Sequence, residues 1–172
     1  TSRELVADGG DSLPHPSLTI GNDGNAIISH RTAGYDLELY VCDDAACASG
    51  INRTLVEQGS VGDHTSVKIG LDGNPVIGHY GAGFDLDLYV CADPACTSGG
   101  NRQLFTDGFS GQFADLTIGA DGNPVIGHHD GSNLDLYVCA DPICTSGTNL
   151  ELVTDGSAGR HASVAIGVDG NP

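Results

Sequence analysis

Three near-copies of one segment constrain this chain more than anything else in it. "YDLELYVCDDAAC" (35–47), "FDLDLYVCADPAC" (84–96) and "NLDLYVCADPIC" (133–144) recur at almost constant spacing. The rest of the chain keeps the same period. Asp23, Asp72, Asp121 and Asp169 open "DGN" turns 49, 49 and 48 residues apart, and Leu5, Leu55, Leu104 and Leu152 follow at 50, 49 and 48. A fixed period of this length means a tandem array of one supersecondary unit, each unit covering its apolar surface against the next.

Each period carries four strand signals. The first is "SVKI" at 66–69, matched by "SLTI", "DLTI" and "SVAI", with alternating apolar residues as a one-sided strand requires. The "DGN" turn follows, where Gly supplies the positive φ of a tight hairpin. "VIGHY" (76–80) is the second strand and "DLDLYVC" (85–91) the third, with Leu86, Leu88 and Val90 on one face. The loop "CADPACTSGGN" then leads to a fourth, "RQLFTD" at 102–107. No segment keeps helical periodicity, so the chain reads as all-β. With 26 Gly, no Trp and no Met, its core must be Val, Ile and Leu with a few Tyr and Phe.

Four antiparallel strands in 48–50 residues is the unit of a β-propeller blade; a β-helix coil is much shorter, and a sandwich does not repeat its sequence. "IGLDGNPVI" (69–77) and "IGADGNPVI" (118–126), each followed by an "LDLYVC" strand and a cysteine loop, resemble the blades of uncharacterised bacterial secreted repeat proteins. The likeness covers essentially all 172 residues. It implies propeller-type blades and no particular activity. His15, His64 and His161 precede the first strand much as a Gly-His does in WD40 blades, but Phe113 stands in the third repeat and the Trp-Asp ending is absent.

The expected organisation is a leading fourth strand within 1–15 ("RELVAD", 3–8), blades at 16–64, 65–113 and 114–161, and a partial blade at 162–172 holding "ASVAIG" (162–167). That makes about three and a half tandem repeats and 14 strands in one repeat domain, fewer than a closed ring of about four blades needs. The expectation is a segment of a longer chain, or one whose exposed edge strands are covered by further copies of itself. The chain begins with Thr1, as a mature or trimmed segment would.

Six cysteines fall in three C-x4-C pairs: Cys42/Cys47, Cys91/Cys96 and Cys139/Cys144. Zinc knuckles usually space their cysteines by two residues, and acidic neighbours such as Asp43, Asp44, Asp93 and Asp141 disfavour a thiolate. A disulfide within each pair, clipping one loop per repeat, is expected, and with it a secreted or cell-surface location. Six basic residues against 23 acidic ones give a net charge of −17, which repels nucleic acid and anionic membrane surfaces. No apolar run approaches the roughly 20 residues of a membrane-spanning helix.

An active site needs one asymmetric constellation, whereas a residue repeated in every unit usually solves a problem common to all units. His30, His79 and His128 on the second strand are therefore expected to bond a neighbouring loop. Glu38, Asp87 and Asp135 on the third strand, with Asp36 and Asp85 beside them, are expected to be structural rather than paired glycosidase acids. Asp23, Asp72, Asp121 and Asp169 are calcium candidates, but each turn offers one carboxylate plus Asn, far from a full ligand ladder. Calcium is thus the only cofactor to weigh. "NRT" makes Asn52 a glycosylation candidate in an expected surface loop.

The residues that break the repeat are Arg31, Lys68, Phe113, His128, His129, Asp130 and Arg160, and they form no recognisable triad. The chain is therefore read as a non-enzymatic extracellular structural or assembly protein, a building block of a surface layer or filament. A lectin-like propeller that binds glycans is the alternative. It predicts a repeated aromatic platform, met by Tyr35 and Phe84 and interrupted at Asn133. A non-catalytic part of a secreted enzyme is the second alternative.

Overall fold

The computed structural model describes residues 4–6, 15–57, 61–154, 156 and 158–172, and its regular structure is entirely β. Among the described residues, twelve strands form three antiparallel four-stranded sheets, each a meander in chain order. The first holds β1 (Ser17–Ile20), β2 (Ala26–Arg31), β3 (Leu37–Cys42) and β4 (Gly50–Val56). The second holds β5 (Asp63–Ile69), β6 (Pro75–Tyr80), β7 (Leu86–Cys91) and β8 (Gly99–Phe105). The third holds β9 (Gln112–Ile118), β10 (Pro124–His129), β11 (Leu134–Cys139) and β12 (Gly147–Val153).

The turns explain the register. Gly24, Gly73, Gly122 and Gly170 take φ between 83° and 87° in the four "DGN" turns. In each, the Asp accepts from the backbone and side-chain amides of the Asn two residues on, at about 3 Å. The three cysteine pairs are disulfides with Cα–Cα separations of 4.9 Å. An Asp caps each clipped loop: Asp44, Asp93 and Asp141 accept from the N–H groups of Ala46, Ala95 and Ile143. Hydrogen bonds from Thr97 and Thr145 hold the Asp93 and Asp141 carboxyls below the ordinary range.

The sheets pack face to face and create two cores. Ile27, Leu37, Leu39 and Val56 of the first sheet meet Val67, Ile77, Tyr89 and the Cys91–Cys96 disulfide of the second. The opposite face of the second sheet offers Val76, Leu86 and Leu88 to Leu116, Ile126, Tyr137 and the Cys139–Cys144 disulfide of the third. The second sheet thus uses one face against the first and the other against the third. Side-chain bonds link the first strands of successive repeats: Ser17 Oγ accepts from Val67 N at 3.1 Å, Ser66 Oγ from Leu116 N at 3.0 Å, and Asp115 from Val164 N at 2.9 Å.

Two expected strands differ. Residues 4–6 carry no strand, and the remainder of "RELVAD" lies outside the described residues. Residues 162–167 lie against the third sheet, where Val164 and Ala162 face Gly127, and their "DGN" turn closes normally with Gly167 N donating to Asn171 O. They have no ladder partner among the described residues, and a strand is defined by its partner. The other first strands begin earlier than expected, at Asp63 and Gln112, because a bulge after each keeps residues 63–66 and 112–115 paired around an irregularity.

Candidate functional site

The bulges place one ring per repeat on a common cleft. Gly62, Gly111 and Gly159 take φ of 75°, 86° and 93°, and two residues later His64, Phe113 and His161 take φ of 50°, 53° and 57°. The close approach at Gly111, where a Cβ would lie 2.7 Å from Asp85 O, fixes the path of the chain there. His15 stacks on His64 with centroids 4.1 Å apart, His64 lies 4.3 Å from Phe113, and Phe113 lies 4.4 Å from His161. These four rings border an open cavity of about 300 Å³ with Thr65, Asp115 and Ser163.

Charge gathers at one end of this row. Asp63 Oδ1 lies 3.3 Å from His15 Nδ1, and Asp63 Oδ2 accepts from Arg31 Nη1 at 3.0 Å. The Arg31 guanidinium also lies 4.8 Å from the centroid of Tyr35. Burial lowers the His64 pKa to about 4 against the opposing pull of Asp63, with His15, His161 and Arg31 adding to the lowering. His64 is therefore a neutral imidazole at physiological pH, able to offer a lone pair.

The repeated polar residues assemble differently. In each sheet a His on the second strand bonds an Asn on the fourth, which bonds a carboxylate on the third. His79 Nε2 donates to Asn101 Oδ1 at 2.9 Å, and Asn101 Nδ2 donates to Asp87 Oδ2 at 2.7 Å. His128, Asn149 and Asp135 repeat this, as do His30, Asn52 and Glu38. All three histidines thus bond across their own sheet, and His128 also meets the expected loop, its Nδ1 accepting from Gly111 N at 3.4 Å. Burial pushes the Asp87 carboxyl above its ordinary range, against the pull of His79 and Asn101. Asp85 accepts from Gln103 Nε2 and Gly108 N. Asp85, Asp87 and Asp135 are buried within these networks.

The remaining candidates are distributed. Asp23 and Asp72 line one cavity with Gly73 and Pro94, each carboxylate already engaged by its own turn, and Asp121 and Asp169 sit in equivalent turns. Asn52 lies on β4 rather than in a loop, and its amide is held by Glu38. Tyr35 and Phe84 are exposed with φ of 65° and 61°, while Asn133 bonds Asp130 and Glu151. His129 Nδ1 faces Ala158 O at 2.7 Å, Asp130 caps its own turn, and Lys68 is half-buried on β5. Arg160 is exposed beside His161.

Of the residues that break the repeat, only Arg31 and Phe113 belong to the cleft's edge and row. The sequence shows the histidines before the first strand but not that they meet; the Gly recurring two residues before His64, Phe113 and His161 was the signal. Neither a protein-family model nor a curated protein matches the chain.

Proposed function

We propose that this chain is a non-catalytic extracellular scaffold of propeller-type blades, which assembles by stacking further four-stranded units on its end sheets, the third of which residues 162–167 cover only in part. One observation carries the reading. Val67 and Leu116 are 0% exposed between sheets, whereas the equivalent Leu18 on the first sheet is 57% exposed. At the other end Leu152 is 54% exposed, while its counterparts Leu55 and Leu104 pack against the two cores. Positions that are core in the middle of the array are open at both ends, and open apolar faces of this kind invite a partner of the same shape. Three disulfides support an oxidising, extracellular setting.

The test is sedimentation of the 172-residue chain and of a Leu18→Glu, Leu152→Glu variant. The reading expects concentration-dependent association that the double variant abolishes with its β spectrum intact. A wild-type chain that stays a monodisperse monomer up to about 100 μM, well above typical transient affinities, sinks it.

A second reading, glycan binding, is favoured by the cleft of four rings and by exposed Tyr35 and Phe84. Aromatic faces stack on sugar rings through their C–H groups. Saturable binding on a glycan array, lost on Phe113→Ala, would establish it.

A further inference from the structure

We propose that His15, Asp63 and His64 form a site for a divalent first-row transition metal, with Zn²⁺ the foremost candidate. One ligand atom from each of the three lies within 4.8 Å of the others. Ligand bonds of about 2.0–2.1 Å in a tetrahedral site place donor atoms about 3.3 Å apart. His15 Nδ1 and Asp63 Oδ1 already stand at 3.3 Å, so only the His64 ring must turn inward.

The surroundings are those of a prepared ligand set. Arg31 Nη1 donates to Asp63 Oδ2 at 3.0 Å and the backbone N–H of His64 donates to Asp63 Oδ1 at 3.0 Å, which fixes the carboxylate as outer partners of metal ligands do. The nearby Arg31 charge also weakens the affinity for any dication. Two imidazoles and one carboxylate suit Zn²⁺, Co²⁺, Ni²⁺ or Cu²⁺ rather than Ca²⁺ or Mg²⁺, which take oxygen ligands. His15 and His64 also border the open cavity with Phe113 and His161, which gives water or a small ligand access to the two imidazoles.

Packing does not require this group. The repeat presents the same junction three times, and the composition is right once. At the next junction His64 faces Phe113, with Gln112 at the position of Asp63; at the last, Phe113 faces His161, with Arg160 there. A residue set needed to hold blades together would recur, as Gly62, Gly111 and Gly159 do. This one does not.

The experiment is Zn²⁺ calorimetry and Co²⁺ absorption on the tag-free chain with disulfides intact, in excess Ca²⁺ to occupy the acidic surface. One equivalent should bind, with ligand-field bands for Co²⁺. His64→Phe and Asp63→Gln install the residues that the next repeat already tolerates, so they should fold, which thermal melts without metal will verify. Each should weaken binding by about tenfold or more, while His161→Phe should leave it unchanged. Absence of saturable binding of one equivalent to the wild type overturns the proposal. So does undiminished binding by His64→Phe, or equal weakening by His161→Phe.

Discussion

The backbone N–H of Leu116 donates to Ser66 Oγ at 3.0 Å across 50 residues of chain. The same hydroxyl donates to Asp115 Oδ1 at 3.1 Å. β9 is the inner edge of its sheet, so alternate N–H groups point away from β10 and need a partner elsewhere. Ser66, which is almost fully buried, supplies one. Ser66→Ala should therefore cost about 1–3 kcal/mol by leaving a buried donor unpaired. Urea unfolding followed by circular dichroism would measure it, and a cost near zero would mean that water replaces the hydroxyl.

Gly108 and Gly111 separate backbone strain from close approach. Both take positive φ, 82° and 86°. A Cβ on Gly108 meets nothing within 4 Å, whereas on Gly111 it falls 2.7 Å from Asp85 O and 2.8 Å from Leu86 Cα. Gly108→Ala should cost only the left-handed strain, about 1–2 kcal/mol. Gly111→Ala must also push two repeats apart, and should cost more than about 4 kcal/mol or prevent folding. Equal costs would show that the approach between repeats is soft.

How much of this was legible in the sequence depended on how local the code was. The "DGN" turns, the second and third strands of each repeat and the disulfide clips are written within a few residues, and these appear where expected. The early start of the fourth strand was missed because Gly50 and Gly99 do not look like strand residues. They pair with Cys42 and Cys91 all the same, and are Gly because a Cβ there would lie 2.5 Å from a ring carbon of Tyr40 or Tyr89. Hence Asn52 lies on a strand. The His–Asn bond spans 22 residues in the first two repeats and 21 in the third, a spacing the sequence carried but that only strand register converts into contact. The ring row depends on how sheets approach one another, which no single repeat encodes.

The disulfides should not contribute equally. Each closes a ring of the same size, worth about 2 kcal/mol in the chain-entropy model. Cys91–Cys96 also packs in the core between the first and second sheets, while Cys47 is only half-buried at the open end. Replacing both Cys91 and Cys96 by Ser should lower stability by about 1–2 kcal/mol more than replacing Cys42 and Cys47, since buried hydroxyls join the lost sulfur contacts. Paired denaturation curves would decide it, and identical losses would mean that ring closure alone matters.

Acid should loosen the cleft through His64. Its folded pKa, lowered by burial to about 4, lies below the unfolded value of 6.5. Between those values the unfolded chain takes up a proton that the native chain refuses, so stability falls as pH drops from 6.5 toward 4 and is insensitive to this group above 6.5. Other groups titrate in the same window, so the difference between wild type and His64→Phe is the informative quantity. Phe113 fills that position in the next repeat, so the variant keeps the ring row while losing the titrating nitrogen. Melting temperatures measured at pH 7.5 and pH 4.5 should fall less in the variant than in the wild type. Parallel falls would mean that the His64 ring swings into solvent and takes its proton there at no cost to the fold.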